Sequence, residues 1–173
     1  MAPLARISLI GPECTGKTTL AQRLAQHFRG SWTPEFVREY AEQRGNRLTY
    51  NDVEPIARGQ IAALESGGMA AALQIHDTDL ISTVVYSRHY YGRCPQWIIE
   101  EARRRRADLY LLMDTDVDWA PDTARDAGGD AREDLFDAFR AALDEFDCRW
   151  VIISGDWEQR FESAVAEIAT LTA

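Results

Sequence analysis

Eight residues near the start of the chain, Gly11-Pro12-Glu13-Cys14-Thr15-Gly16-Lys17-Thr18, constrain its fold more than any other stretch. Two glycines enclose four residues, and the second is followed at once by a lysine and a threonine. Ahead of them residues 5–10 form an apolar run that reads as a buried strand; behind them Leu20, Leu24 and Phe28 recur at helical spacing. Glycine admits backbone conformations that let successive N–H groups curl around an anion. A helix starting at Lys17 turns the positive end of its dipole toward the same point. Strand, glycine loop and helix in this order make a phosphate cradle of the Walker A type. The backbone of Gly11, Pro12, Glu13, Cys14, Thr15 and Gly16 is expected to wrap the phosphates. Lys17 should reach the β- and γ-phosphates, and Thr18 should ligate magnesium, so ATP and Mg2+ are the expected cofactors. Thr19 follows them in the cradle, where helix packing accounts for it as well.

Beyond this loop, short apolar runs alternate with longer periodic segments, the pattern of a parallel sheet covered by helices. Strands are expected at 5–10, 32–36, 73–76, 108–113 and 150–153, the second weakened by Pro34. Helices are expected from Lys17, over 37–43, from Thr49 to about Ala72, over 81–91, from Pro95 to about Arg106, over 133–145 and over 157–171. Residues 114–132, rich in Asp, Gly, Pro and Arg, read as a mobile loop. The expected fold is a three-layer α/β/α domain of the P-loop NTPase class. It has a five-stranded parallel sheet, spans 1–173 as one unit, and carries a lid at about 115–132.

The charge balance narrows the partners. With 19 basic and 28 acidic residues the net charge is −9, which argues against affinity drawn from nucleic-acid phosphates. The arginine run at 103–106 reads instead as cations at a helix C-terminus. Cys14, Cys94 and Cys148 show no paired spacing, so neither a disulfide framework nor a zinc site is expected and a reducing cytoplasm fits best. Cys14 reads as a small residue that fits the loop, with an oxidation-sensitive switch as the other reading. The opening apolar run is too short for a membrane span. The expected partners are therefore a small-molecule substrate and ATP, without nucleic acid or membrane; the sequence leaves a homo-oligomer open.

Ligands of an open parallel sheet collect beyond the carboxyl ends of its strands, so the acidic residues placed there are the candidates. Asp77 follows the third strand and suits the magnesium shell. Asp79, two residues on, faces the acceptor or caps the next helix. Glu35, near the end of the second strand, is placed to accept a proton from an attacking hydroxyl, or to sit as an acid at a helix start. Arg38 and Tyr40 follow it as substrate contacts or as parts of a solvated helix face. In the loop, Arg125 and Arg132 are cations that a closing lid would bring to the transferring phosphoryl group. Trp119 offers a ring to stack on a flat heterocycle. His27, His76 and His89 have no ligand spacing.

Gly-Pro-Glu-Cys-Thr-Gly-Lys-Thr, Glu-Phe-Val-Arg-Glu-Tyr, Asp-Thr-Asp, Trp-Ala-Pro-Asp-Thr-Ala-Arg with Gly-Asp-Ala-Arg, and Ser-Gly-Asp-Trp-Glu-Gln-Arg-Phe follow one another in the chain. Together they resemble the ribosylnicotinamide kinase domain of the NadR proteins and the stand-alone AAA-type ATPases similar to it, over about 7–168. The resemblance implies transfer of the ATP γ-phosphate to the 5′-hydroxyl of nicotinamide riboside, on a nucleoside-kinase-like fold with a lid. It implies Lys17 and Thr18 on phosphate and magnesium, and Asp77 at the metal and acceptor. It implies Glu35, Arg38 and Tyr40 near the riboside, Trp119 beside the nicotinamide, and Arg125 and Arg132 in the lid. Asp156 and Trp157 fall where such kinases pass the adenine. NadR proteins carry an adenylyltransferase domain before the kinase; the chain opens on the first kinase strand, so that second activity is expected to be absent. Cys14-Thr15 replaces the usual Ser-Ser. Two other readings remain: a kinase for another nucleoside or small alcohol, and an ATPase or nucleotide-switch module.

Overall fold

The computed structural model describes residues 5–66, 71–117 and 129–172. Its centre is β1 (Ala5–Ile10), paired in parallel with β3 (Leu73–Asp77) on one side and β4 (Leu109–Met113) on the other. β2 (Ser31–Thr33) and β5 (Trp150–Ile153) form the edges, giving the order β2-β3-β1-β4-β5. All five strands run the same way, so all carboxyl ends, including the end of β1 that feeds Gly11, open on one rim.

The inner strands are buried on both faces, and alternate residues supply two cores. Ile7, Leu9, Leu109, Leu111 and Met113 pack with Leu20, Leu24, Ala164 and Ile168. The last four come from α1 (Lys17–Phe28) and α7 (Trp157–Thr172). Ile10, Tyr110 and Leu112 face the opposite way, onto Leu80, Ile81, Ile98, Leu135 and Phe139. Those side chains belong to α4 (Leu80–Tyr91), α5 (Gln96–Arg104) and α6 (Gly129–Glu145). The remaining helices, α2 (Phe36–Gln43) and α3 (Val53–Ser66), pack on each other, and α3 packs on α4.

The larger departures from the sequence expectation are four. β2 stops at Thr33 rather than 36, because Pro34 has no N–H for the ladder. The helix expected from Thr49 is a 3-10 turn, Tyr50–Asp52, followed by α3. Thr49 caps it, with its N–H and hydroxyl donating to Asp52 at 2.8 and 3.0 Å. α3 ends at Ser66, and Ala71 and Ala72 lie outside any helix. α6 begins at Gly129, so Arg132, expected in the loop, lies on a helix. Ala131 packs on the core one turn before Leu135, which carries the apolar stripe further toward the N-terminus than expected. The lid segment 118–128, with Trp119 and Arg125, lies outside the described residues.

The arginine run is absorbed locally. Arg104 and Arg105 pair with Glu101, Arg106 donates to the carbonyls of Phe146 and Asp147, and Arg103 lies over the Phe146 ring. Cys14, Cys94 and Cys148 are free thiols. Among the described residues no helix is long and apolar enough to cross a membrane.

One buried row of the sheet is polar. His76 on β3 stands in register between Ser8 of β1 and Thr33 of β2, and all three are buried. Burial, with a smaller contribution from Arg6, pushes the imidazole down to about 4. The unfolded chain therefore binds this proton first, near pH 6.5, and folding stability should be lost as pH falls from there through 4. The full shift corresponds to about 3 kcal/mol. Urea unfolding at pH 7 and pH 4.5 should show the loss in the wild type and a smaller one in His76→Leu; equal losses would assign the acid sensitivity elsewhere.

A second interior polar contact joins Tyr110 to Asp79. The phenol donates to Asp79 Oδ2 at 2.6 Å and accepts the Ala107 N–H at 3.0 Å. Burial and the Asp79 charge hold the phenol well above its ordinary value. Tyr110→Phe should cost about 2–3 kcal/mol, because it strips partners from a buried carboxylate and a buried amide. A change below 0.5 kcal/mol in denaturant titration, against roughly that range, would mean solvent replaces both bonds.

Candidate active site

The loop Gly11–Thr15 leaves β1 and turns into α1 through Gly16, whose φ of +80° lies in the left-handed region. A Cβ on Gly16 would come within 2.4 Å of the Trp157 ring, so glycine is demanded by both dihedral and space. No side chain caps α1, and the first-turn N–H groups have no partner within the helix. Lys17 is buried, and Nζ donates to the carbonyls of Gly11 at 3.0 Å and Pro12 at 2.6 Å. The Thr15 hydroxyl donates to Pro12 O at 2.8 Å and holds the curl closed. Backbone N–H groups of the loop and the helix start and an ammonium thus converge on one concavity, the arrangement that takes phosphate.

Parallel pairing brings the acidic partner alongside. Asp77 is in register with Leu9, two residues before the loop. The Thr18 hydroxyl donates to Asp77 Oδ2 at 2.5 Å, while Asp77 Oδ1 is buried with no hydrogen-bond partner among the described residues. Burial, then the charge of Glu35, raise this carboxyl above its ordinary value, against the opposing pull of Thr18, Lys17 and Arg38. An unsatisfied carboxylate oxygen beside a threonine hydroxyl suits a hard cation with oxygen ligands. Among the described residues no three His, Cys, Asp or Glu side chains form a metal cage. A magnesium ion here would draw on Thr18 and Asp77, with substrate phosphates completing its shell.

Glu35 occupies the position before α2 but makes no capping bond. Its carboxylate is almost enclosed, with the half-exposed Arg38 guanidinium 3.9 Å away. Lys17, Thr18, Glu35, Arg38 and Asp77 thus form one electrostatic group, as the sequence placed them. Tyr40 turns away: its hydroxyl donates to Asp52 at 2.9 Å and ties α2 to the 3-10 turn. Asp79, open to two readings from sequence, caps α4 by accepting the Ile81 N–H at 2.9 Å and has Tyr110 on its other oxygen. Between the two aspartates Thr78 holds a φ of +69°, a strained conformation for a β-branched residue.

Beyond Glu35 lies a cavity of about 440 Å3. Its walls come from α2, residues 46–49 of the segment that follows it, α3 and α4, with Tyr86, Tyr90 and Tyr91 on the α4 side. None of its described lining residues is a lysine or arginine, and Glu35 and Asp79 are its acidic ones. Tyr86 joins this cavity to the phosphate loop, its hydroxyl donating to Glu13 Oε2 at 2.8 Å.

At the other flank, Trp157 leads α7 and is 56% exposed, its ring over Gly16. Asp156 caps α7 through the N–H groups of Glu158 and Gln159. Arg132 is buried, reaches Val117 O only weakly at 3.5 Å, and has Nε and Nη2 without partners among the described residues.

Sequence reasoning passed over Arg160. This side chain is 1% exposed, donates to the carbonyls of Gly155 and Asp114 at 2.7 and 3.2 Å, and pairs with the Asp116 carboxylate. It locks the segment after β4 to the start of α7, beside the phosphate loop. The signal was present, an arginine in the otherwise apolar stripe of α7, but the same residue suits a solvated face. Tyr86 and Gln60 were passed over too; tyrosine and glutamine carry no motif.

Comparison with known proteins agrees with this geometry. A family model described as an AAA domain matches residues 6–160. The trifunctional NAD biosynthesis/regulator protein NadR of Escherichia coli strain K12 is 26% identical over 162 residues, 90% of this chain and 40% of that protein. A crystal structure of NadR protein in complex with NR superposes with a TM-score of 0.78 at 24% identity, over 98% of this chain and 51% of that one. A second, in complex with NAD and AMP-PNP, gives 0.76 at 25% identity, over 97% and 49%. The chain thus spans half or less of the length of these relatives. With the family model covering most of its length and the five-stranded P-loop kinase fold in place, the chain belongs to the AAA domain family, as a NadR-like kinase domain within it.

Proposed function

We propose that the chain is an ATP-dependent kinase that phosphorylates the 5′-hydroxyl of a riboside, with nicotinamide riboside as the preferred acceptor. The observation that carries this reading is the cavity beside Glu35, closed by tyrosines and free of lysine and arginine among its described lining residues. Such a pocket favours a neutral or cationic acceptor with a flat ring over one that already bears a phosphate. Nicotinamide riboside is a cation with a flat ring. The likeness to NadR structures in complex with NR and with AMP-PNP supports the same choice.

The chemistry follows from the residues. The α1 N–H groups and Lys17 bind the phosphate chain and neutralise charge on the transferring group. Thr18 and Asp77 would hold a magnesium ion, which would supply Lewis-acid neutralisation of phosphate charge. Glu35 takes the proton as the acceptor hydroxyl oxygen bonds to the γ-phosphorus and the bond from that phosphorus to the β–γ bridging oxygen breaks. Arg132, with two donors unpartnered among the described residues, serves the charge on the moving phosphoryl group. The resemblance assigns Trp157 to the nucleotide base, and Arg125 and Trp119, outside the described residues, to the phosphoryl group and the acceptor ring.

Mixing the protein with ATP, magnesium and a panel of ribosides should give ADP release that depends on the acceptor and is fastest with nicotinamide riboside. Equal release with every acceptor and with none would instead establish an ATPase or switch module. Lys17→Ala should lower turnover about a thousandfold with the circular dichroism spectrum unchanged. Retained activity would remove Lys17 from the mechanism.

Glu35→Gln should lower kcat about a hundredfold while ATP affinity holds. Because the Glu35 charge helps to hold the Asp77 carboxyl up, its removal lets Asp77 ionise at lower pH. The acid limb of the residual activity should therefore move to lower pH. An unshifted limb with undiminished kcat would place the proton acceptor elsewhere.

A further inference from the structure

Gln60 lies on α3 and is 2% exposed. Its Oε1 accepts the N–H of Phe36 at 3.0 Å. That N–H belongs to the first turn of α2 and has no partner within the helix, so the side-chain amide closes it as a cap would. The contact is built in from both sides. A Cβ on the preceding Gly59 would come within 2.1 Å of the Phe36 ring, so the absent side chain is what lets α2 and α3 approach here.

This bond decides the orientation of the amide. With Oε1 turned to Phe36, Nε2 is the end left over, and it has no hydrogen-bond partner among the described residues. Gln60 nevertheless lines the acceptor cavity. A buried donor without a partner costs about 1–3 kcal/mol, which a structure tolerates where a ligand supplies the missing acceptor.

We infer that Gln60 forms a carbonyl-recognising subsite: Nε2 donates to a carbonyl oxygen on the ring of the acceptor. The inference rests on the riboside-kinase reading and deepens it. Its chemical basis is complementarity of donors and acceptors. With Oε1 occupied, Gln60 offers the cavity donors alone. A hydroxyl of the acceptor finds its partner at Glu35, which as a carboxylate only accepts. A carbonyl oxygen, which also only accepts, gains nothing at Glu35 and is matched at Gln60. Because Phe36 holds the amide still, the subsite is pre-oriented, and the analogue lacking the carbonyl leaves the donor unpaired. Gln60 therefore sets which flat ring is accepted, and acts on binding rather than on the phosphoryl step.

The test compares nicotinamide riboside with the N-ribosylpyridinium cation, the same riboside without its carboxamide, in the wild type and in Gln60→Glu. Glutamate keeps an oxygen for the Phe36 N–H and removes the donor. Both acceptors carry the same charge, but the carboxamide can turn its N–H2 toward the added carboxylate, so the deciding variant is Gln60→Met, which offers the ring neither a donor nor a charged acceptor. The wild type should prefer the carbonyl-bearing riboside by about 10–100-fold in kcat/KM, mostly through KM. In Gln60→Met that preference should fall to within about threefold of unity, with the carbonyl-free riboside still turned over. In Gln60→Glu the carbonyl contact is lost as well, and any preference that remains there comes from the carboxamide N–H2. Turnover of ribosides with the preference intact in Gln60→Met would overturn this inference alone, as would an equal fall on both acceptors. Absence of turnover with every riboside would overturn the kinase reading and this inference together.

Discussion

The hydrogen bond from Thr18 to Asp77 is the contact on which the active-site arrangement depends. It exists because β1 and β3 pair in parallel with Leu9 opposite Asp77. A shift of one residue would turn Asp77 to the other face of the sheet and part it from the loop. Register is defended by burial, since Ile7, Leu9 and Ile75 lie in one core and a slip would exchange them for Ser8 and His76. The hydrophobic pattern of the strands thus sets the distance between a hydroxyl and a carboxylate at the rim, well away from most of the apolar side chains involved.

Around that contact the protein holds polar groups in states that water would not favour. Among the described residues Asp77 carries one unpartnered oxygen and a raised carboxyl, Thr78 a left-handed backbone, Gln60 an unpartnered Nε2 and Arg132 an unpartnered Nε and Nη2. Each costs stability, on the order of 1–3 kcal/mol. They coincide with residues that sequence motif or cavity assigns to phosphate, metal or acceptor. By contrast the polar contacts at Tyr110 and Arg160 are saturated. Saturated contacts of this kind give the unsatisfied groups at the rim a rigid support, although the buried row of Ser8, His76 and Thr33 also holds unpartnered polar atoms among the described residues.

Much of this was legible in advance. The strand limits 5–10 and 150–153 and the start of α1 at Lys17 matched, because apolar runs bounded by glycine and by charge leave little choice. The grouping of Lys17, Thr18, Asp77 and Glu35 followed from one rule, that parallel strands bring their carboxyl ends together. What escaped was set by tertiary contact. Thr49 could cap an α-helix or a 3-10 turn, and only packing chose. Arg132 read as a loop cation because Ala131 alone, one small apolar residue, marked the earlier start of α6. Gln60 gives no signal without coordinates, and the signal of Arg160 in the apolar stripe of α7 suits a solvated face equally, since their meaning lies in which buried carbonyl or amide they meet.

The cavity also shows how one fold of this kind separates its two ligands. The phosphate side is built from backbone N–H groups and Lys17, a positive concavity that any nucleoside triphosphate satisfies. The acceptor side is built from side chains of α2, α3 and α4, none of them cationic among the described lining residues. Tyr86 spans the boundary, its ring in the acceptor wall and its hydroxyl on Glu13 of the loop. A charge divide of this sort discourages the triphosphate from entering the acceptor side, because its phosphates would meet Glu35 and Asp79 instead of Lys17. Selectivity for the acceptor is then free to vary through α2 to α4 while the strand–loop–helix unit that grips the triphosphate stays as it is.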